Sequence, residues 1–127
     1  MKISRIHQIA AFAENLDESV AFYRDILGAS FIAKFDPPGL AFFDLAGTRI
    51  MLEKTAPNAT IYFRVDDIHA TYQELLSKGV MFIDEPHMIF SDDSGMFGEA
   101  QEEEWMTFFT DPARNTLALA SRIKKNE

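Results

Sequence analysis

The sequence predicts an α+β fold in which one βαβββ unit occurs twice. Two runs rich in apolar, β-branched and aromatic residues, 6–13 and 59–65, are each followed by a helix signal and three further strand candidates. Corresponding positions of the two copies, such as Gln8 and Thr60, are 52 residues apart. A composition of 47% apolar and 25% charged residues is typical of a globular protein. We therefore expect a domain with two similar halves.

The first half contains a helix with clear signals at both ends. Asn15 and Glu18 have the spacing of a capping box, and Gly28 is the residue type that commonly ends a helix. The turn residues Pro37-Pro38-Gly39 and Ala46-Gly47 then separate three strands, because proline cannot donate to a ladder and glycine suits a tight hairpin. The predicted strands cover 29–35, 40–45 and 48–54.

The second half repeats this order with signals of its own. Asp67 can cap a helix whose apolar residues recur at helical spacing, and Gly79 can end that helix. Asp111-Pro112 begins a turn before the last strand. The predicted strands after this helix cover 80–84, 104–110 and 116–121, and the two modules together span 4–54 and 59–122 of a single domain, 1–127.

Residues 91–104 interrupt the second module between two of its strands. This segment holds six carboxylates and two glycines but no basic residue. Such a composition favours a mobile surface loop, since like charges repel and little apolar surface is available for packing. Two interpretations stay open: a solvated acidic connection, or a lid over a binding site.

Composition excludes several classes of protein. The 12 basic and 20 acidic side chains leave a net charge of −8, which repels phosphate backbones and makes nucleic acid a poor partner. The apolar runs are far shorter than the roughly 20 residues that cross a bilayer, so no membrane association is expected. The chain has no cysteine and no secretory signal, which predicts a cytoplasmic protein without disulfides.

Several segments resemble the vicinal oxygen chelate superfamily, which includes glyoxalase I, extradiol dioxygenases, methylmalonyl-CoA epimerase and the bleomycin resistance proteins. The resemblance covers residues 4–122 and includes Ala113-Arg114, where members usually carry Asp-Gly. It implies a glyoxalase-like fold in which the strands form a cup-shaped mixed sheet with the helices packed outside. The matching segments are 15–28, 39–44, 47–52, 62–68, 84–87 and 105–119.

The resemblance also implies where a metal ion would bind. Metal-dependent members use four inward side chains, usually His, Gln or Glu, from the first and fourth strands of each module. Those positions correspond here to Gln8, Met51, Thr60 and Ala118. A divalent ion needs carboxylate or imidazole donors, whereas Met offers a soft thioether and Ala offers no donor. We expect no metal cofactor; a two-residue slip that brings Glu53 to the ligand level is the alternative.

Other side chains could perform chemistry or bind a ligand without a metal. His87 is a candidate acid or base that Glu85 or Glu104 could orient, although a structural role is the alternative. Arg64 could pair with an anionic group, or lie in solvent. An apolar pocket, with methionine as adaptable filler, could be lined by aromatic side chains of inward strand parity. These are Phe12, Tyr62, Phe42 and Trp105, next to Met51 and Met106.

Three functions are compatible with these residues. The first is a metal-free protein that binds a small organic molecule, cationic or planar, in an aromatic-lined cup, as the bleomycin resistance proteins do. The second is a metal-dependent glyoxalase-like lyase, isomerase or dioxygenase, and the third is a metal-free enzyme that uses His87. We favour the first, and we expect a homodimer, because half-cups leave sheet edges exposed.

Overall fold

A computed structural model describes residues 1–125 and shows two four-stranded mixed sheets with two helices. The α+β class and the repeated βαβββ order predicted from the sequence are confirmed. Helix α1 continues into one π-helical segment, Phe22–Ile26. The elements are β1 (Gln8–Phe12), α1 (Leu16–Ala21), β2 (Ser30–Phe35), β3 (Leu40–Leu45), β4 (Thr48–Glu53), β5 (Thr60–Arg64), α2 (Ile68–Ser77), β6 (His87–Asp92), β7 (Glu102–Thr110) and β8 (Thr116–Lys124).

Sheet 1 has the strand order β1-β4-β3-β2, with β1 and β4 parallel and the other pairs antiparallel. Helix α1 packs against β3 and β4. The core lies on this helix side, where Ala41, Phe43 and Leu52 are completely buried. Tyr23 of the π-helical segment packs against Phe43 with ring centroids 5.8 Å apart. Burial of these side chains provides the main stabilisation of the sheet.

Sheet 2 repeats the same topology with the order β5-β8-β7-β6. Its parallel pair is β5 and β8, and α2 packs against β7 and β8. Leu117 and Phe109 are fully buried in this core, and Ile68 of α2 is buried as well. Gln8 and Thr60 are the first residues of β1 and β5, so the predicted 52-residue repeat holds in three dimensions.

The helix ends form as the sequence predicts. Asn15 accepts a hydrogen bond from the backbone N–H of Glu18 at 3.1 Å, and Asp67 accepts one from Ala70 at 3.1 Å. Each bond satisfies a donor that has no partner within its helix. Gly28 follows the π-helical segment with a φ of +73°, in the left-handed region that glycine enters without a steric penalty. These local signals therefore determine where the first helix begins and ends.

The chain divides into two compact units, and a short segment of the second half belongs to the first. Unit 1 comprises Met1–Ala59 and Asp111–Asn115, whereas unit 2 comprises Thr60–Thr110 with the residues from Thr116 onwards. Asn115 explains this division. Its side chain is buried, donates to the carbonyl of Phe12 at 2.6 Å and accepts from the N–H of Ala59 at 2.8 Å. The turn between β7 and β8 is thus hydrogen-bonded to β1.

The predicted strand at 80–84 is wrong. Only Phe82 forms a bridge there, with Phe109, and the strand of this region is β6, His87–Asp92. The Asp84 carboxylate accepts the backbone N–H of Phe108 at 2.9 Å, so a side chain occupies the place of a strand carbonyl. Pro86 has no N–H to donate, so the segment before it does not continue as a hydrogen-bonded strand.

The predicted bounds of the acidic loop, 91–104, are too wide. Strand β6 extends to Asp92 and β7 begins at Glu102, so the connection is much shorter than expected. The Arg122 side chain is 6% exposed, and its guanidinium contacts the carboxylates of Asp92 at 2.7 Å, Glu102 at 2.8 Å and Glu104 at 3.6 Å. A buried cation outside the predicted segment therefore compensates three of its six carboxylates, while the alternatives of a solvated connection or a lid stay predictions for residues 93–101.

No helix within residues 1–125 is long and apolar enough to span a bilayer.

Candidate functional site

Sheet 1 has one face that its helix does not cover. Paired residues of neighbouring strands point to the same side of a sheet, so the register defines this surface. We call it the open face of sheet 1, and its side chains are mostly half-buried. It is formed by Gln8, Ala10 and Phe12 of β1, Arg49, Met51 and Glu53 of β4, and Leu40, Phe42 and Asp44 of β3.

Three polar or polarizable side chains contact one another at the centre of this face. Arg49 donates from Nε to Oε1 of Gln8 at 2.7 Å, and Nε2 of Gln8 lies 3.6 Å from the Met51 sulfur as a donor. Because a guanidinium only donates, the Gln8 oxygen must face Arg49, and the amide NH2 must then face the sulfur. The Gln8 amide is therefore held in one orientation by both neighbours.

These contacts do not fit a divalent metal ion. Gln8 and Met51 are the two positions of unit 1 where the superfamily resemblance implies ligands, and here they bond to each other. Glu53, the alternative ligand, pairs with Phe12 in the register and accepts a hydrogen bond from Thr55 at 2.8 Å. Among residues 1–125, no three His, Asp or Glu side chains cluster as a metal site. A thioether is moreover a poor donor for hard or borderline ions.

Sheet 2 also has a face that its helix leaves uncovered, defined by the pairing of β5 with β8. Thr60, Tyr62 and Arg64 point to this side and are exposed, whereas Ala118 is completely buried. Tyr62 is 55% exposed and contacts Phe108 edge to face, with centroids 5.9 Å apart. Of the two ligand positions expected here, Thr60 has one hydroxyl and Ala118 has no donor, so this face offers a metal ion little.

The expected inward parity of Trp105 is wrong. Tyr62 pairs with Ala118, so these two side chains point to the same face of sheet 2. Trp105 pairs with Ser121, which lies an odd number of residues after Ala118, so Trp105 points to the opposite face. There its ring contacts His69 of α2 edge to face at 5.4 Å, and its indole N–H donates to Glu103 at 3.0 Å. A shift of one residue moves a side chain to the other side of a sheet. The irregular segment before β7 prevents the sequence from predicting which face Trp105 occupies.

His87 lies on the edge strand β6 and is exposed. Its Nδ1 is 2.9 Å from the backbone carbonyl of Glu85 and 3.7 Å from the carboxylate of Asp84. The neighbouring carboxylate is thus that of Asp84, rather than Glu85 or Glu104 as expected, since Glu104 contacts Arg122. A role of His87 or Glu85 as acid or base stays a prediction.

Arg49 is the functional candidate that sequence reasoning missed. Its Cζ lies 5.4 Å from the centroid of the Phe42 ring, within the range of a cation–π contact. Its Nη2 is 3.3 Å from Nε2 of His7. Arg49 has the same strand parity as Met51, so the sequence places it on the same face, whereas its contacts with Gln8 and Phe42 depend on the pairing of the strands.

A surface groove of about 600 Å³ lies elsewhere in unit 1, beside the beginning of α1. Acidic side chains, including Glu14, Asp17 and Asp36, form most of its lining, and Lys54 lies 3.6 Å from Asp36. This groove is open and contains none of the predicted site residues, so we do not assign it as the functional site.

Comparison with known proteins identifies similar chains. A family model described as Glyoxalase/Bleomycin resistance protein/Dioxygenase superfamily matches residues 5–119. A lactoylglutathione lyase from Agrobacterium tumefaciens has a similar structure, with a TM-score of 0.75 and 21% identity over 94% of this chain and 95% of that one. A virulence protein from Salmonella typhimurium has a TM-score of 0.74 and 19% identity, over 95% and 98% of the two chains.

A member of the same superfamily from Sphaerobacter thermophilus has a TM-score of 0.72 and 22% identity, over 94% of this chain and 98% of that one. No curated protein matches this sequence significantly. Identities this low indicate a shared fold, whereas an activity depends on the side chains of the site.

Proposed function

Since this chain belongs to the Glyoxalase/Bleomycin resistance protein/Dioxygenase superfamily, we propose that it binds a small organic molecule without a divalent metal ion at the superfamily's metal position. The binding surface is the open face of sheet 1. The observation that carries this proposal is the contact of 3.6 Å between Gln8 and Met51. The Gln8 oxygen, which is the hard donor of this pair, already accepts from Arg49 at 2.7 Å, and the Met51 thioether is a poor ligand for a divalent ion.

The surroundings of this contact support binding of an organic molecule. Phe42 and Met51 are half-buried neighbours in the register, and Phe12 lies further along the same face. Aromatic rings offer flat apolar area, while the thioether of methionine adapts to irregular shapes. A few polar groups beside such apolar area are typical of small-molecule sites. A planar apolar molecule fits this combination.

Metal analysis tests the first half of the proposal. Protein dialysed against a chelator and then against nickel, zinc, iron or manganese should retain no stoichiometric metal by elemental analysis. Its melting temperature should not change with added metal, because an ion that binds only the folded state would raise it. A metal bound at one equivalent per chain, together with a higher melting temperature, would contradict the proposal and favour a metal-dependent lyase, isomerase or dioxygenase.

A blocking variant tests the second half. Ala10 is an exposed residue that pairs with Met51 on the open face, so Ala10→Trp should cover the site without disturbing the core. We expect fragments that shift the amide resonances of β1, β3 and β4 in wild type to lose this effect in the variant. Ala70→Trp, on an exposed position of α2, is the matched control and should bind as wild type does. If Ala10→Trp binds the fragments as wild type does, the binding site is not on the open face of sheet 1.

We propose in addition that the protein is a homodimer. The outer strands β2 and β6 expose apolar side chains, including Phe35 at 52% and Ile89 at 47%. Edge strands with such residues tend to pair with another chain. Light scattering should therefore give twice the chain mass of 14.4 kDa, whereas a monomer that persists at high concentration would contradict a dimer.

A further inference from the structure

We infer that Arg49 is the anion-binding group of this site, so that the ligand carries a carboxylate or a similar planar anion beside an apolar body. This inference rests on the proposed function, because it concerns the open face of sheet 1. It differs from the sequence-based expectation in two ways. The sequence favours a cationic or planar ligand, and it makes Arg64 the candidate to pair with an anionic group.

The guanidinium of Arg49 is held in place by three side chains, none of which is a carboxylate. Gln8 accepts from Nε at 2.7 Å, His7 lies 3.3 Å from Nη2, and the Phe42 ring lies under Cζ at 5.4 Å. Of the five N–H donors of an arginine, these hydrogen bonds use two. Nη1 donates to no atom of residues 1–125, so the side chain is oriented and still has donors to offer.

No carboxylate neutralises this cation. Asp44 is the cross-strand partner of Arg49 in the register, yet no carboxylate of the described chain lies within ion-pair distance of its guanidinium. Arg122 is the opposite case, since three carboxylates contact it. In a protein of net charge −8, a half-buried arginine with unsatisfied donors is a specific feature of the surface.

A carboxylate suits these free donors. It can accept two parallel N–H groups of a guanidinium, and such charge-assisted bonds are stronger than neutral ones. The apolar part of the ligand would lie on Met51 and Phe12, which share the face with Arg49. Arg64 lacks comparable support, because it is exposed and its side chain makes no hydrogen bond within residues 1–125.

Two probes of equal shape separate the contributions of charge and ring. We would titrate 2-naphthoate and its neutral amide, 2-naphthamide, into labelled protein and follow the amide resonances of sheet 1. Wild type should bind the carboxylate at least about tenfold more tightly than the amide, the effect of one charge-assisted hydrogen bond. Arg49→Gln should remove this preference, because it weakens binding of the carboxylate much more than binding of the amide.

Arg24→Gln is the matched control, since it removes the same charge from an exposed position where Arg24 pairs with Asp25. It should bind both probes as wild type does. Gln8→Glu is a second variant that retains Arg49 but places a carboxylate against its Nε, and it should weaken binding of 2-naphthoate alone. Gln8→Glu therefore tests the role of Arg49 even if Arg49→Gln does not fold.

The possible failures are distinct. If neither probe shifts the resonances of sheet 1, the proposed function itself is wrong. If both probes bind equally to wild type and to Arg49→Gln, a ring-binding face exists but the inference about Arg49 is overturned. If Arg64→Gln rather than Arg49→Gln removes the preference for the carboxylate, the anion site lies on sheet 2.

Discussion

The phenol of Tyr23 donates a hydrogen bond of 2.6 Å to the carboxylate of Asp111, although the two residues are 88 positions apart. Tyr23 is 2% exposed and Asp111 is 4% exposed, so little water can replace this bond. Asn115 donates to the same carboxylate oxygen at 2.7 Å. The buried hydrogen bonds therefore join the π-helical segment to the turn between β7 and β8, within unit 1.

Removal of the phenol hydroxyl should destabilise the protein. Tyr23→Phe deletes a buried hydrogen bond to a carboxylate, which costs about 2 kcal/mol of unfolding free energy. Urea denaturation measures this loss. Tyr72→Phe is the matched control, because the Tyr72 hydroxyl makes no hydrogen bond within residues 1–125, and it should cost less than about 0.5 kcal/mol. Equal effects of the two substitutions would show that the Tyr23 bond contributes nothing specific.

The same tyrosine should limit stability at high pH. Burial, followed by the charge of Asp111, raises the pKa of the Tyr23 hydroxyl above its ordinary value of 10.0. The unfolded chain then ionises first, so the contribution is fully present below pH 10.0 and is lost as the pH rises above it. Urea midpoints of wild type should fall more steeply above that pH than those of Tyr23→Phe, since the other tyrosines affect both proteins alike. If the urea midpoints of wild type and Tyr23→Phe fall equally with pH, ionisation of Tyr23 does not limit stability at high pH.

Ionisation of Asp92 should affect the stability of the protein at low pH. Burial by itself raises the pKa of this carboxyl, but hydrogen bonds from Arg122, Phe97 and Met96 outweigh burial and lower the pKa to about 2. Because the folded-state pKa is below the ordinary 3.8, the stabilisation is present above pH 3.8 and is lost as the pH falls towards 2.

Asp92→Asn should therefore lower the melting temperature by several degrees at neutral pH, and this difference from wild type should shrink below about pH 4. Asp66→Asn removes an exposed carboxylate that makes no hydrogen bond in the described chain, and should leave the profile unchanged. A difference between wild type and Asp92→Asn that does not depend on pH would mean that packing, rather than ionisation, causes it.

The protein should be more stable with glycine than with arginine at position 114. Arg114 has a φ of +70°, in the left-handed region that costs a residue with a Cβ roughly 1–2 kcal/mol. Its side chain is exposed, so Arg114→Gly should stabilise the protein by about 1 kcal/mol, even after the greater flexibility of glycine in the unfolded chain is included. Arg114→Ala removes the same charge but retains the strain and should give no gain. Equal unfolding free energies for both variants would exclude backbone strain as the cause.

The amino-acid sequence alone determined the repeated βαβββ order and most element boundaries of this protein. Asn15, Asp67 and Gly28 act within one helical turn, so their effects do not depend on distant parts of the chain. The strand parity of the first module was also predictable. Gln8 and Met51 share a face as expected, because a regular alternation continues through β1 and β4.

Only the tertiary structure decided the chemistry of the candidate site and the conformation of the acidic segment. Trp105 follows an irregular segment, and its face depends on a pairing register that no local signal records. Whether Asp92 is a repelling charge or a buried partner depends on Arg122, which is 30 residues away. Arg49 became a candidate for the same reason. The free donors of a guanidinium are known only when folding has brought Gln8 and Phe42 to it and has left the carboxylates elsewhere.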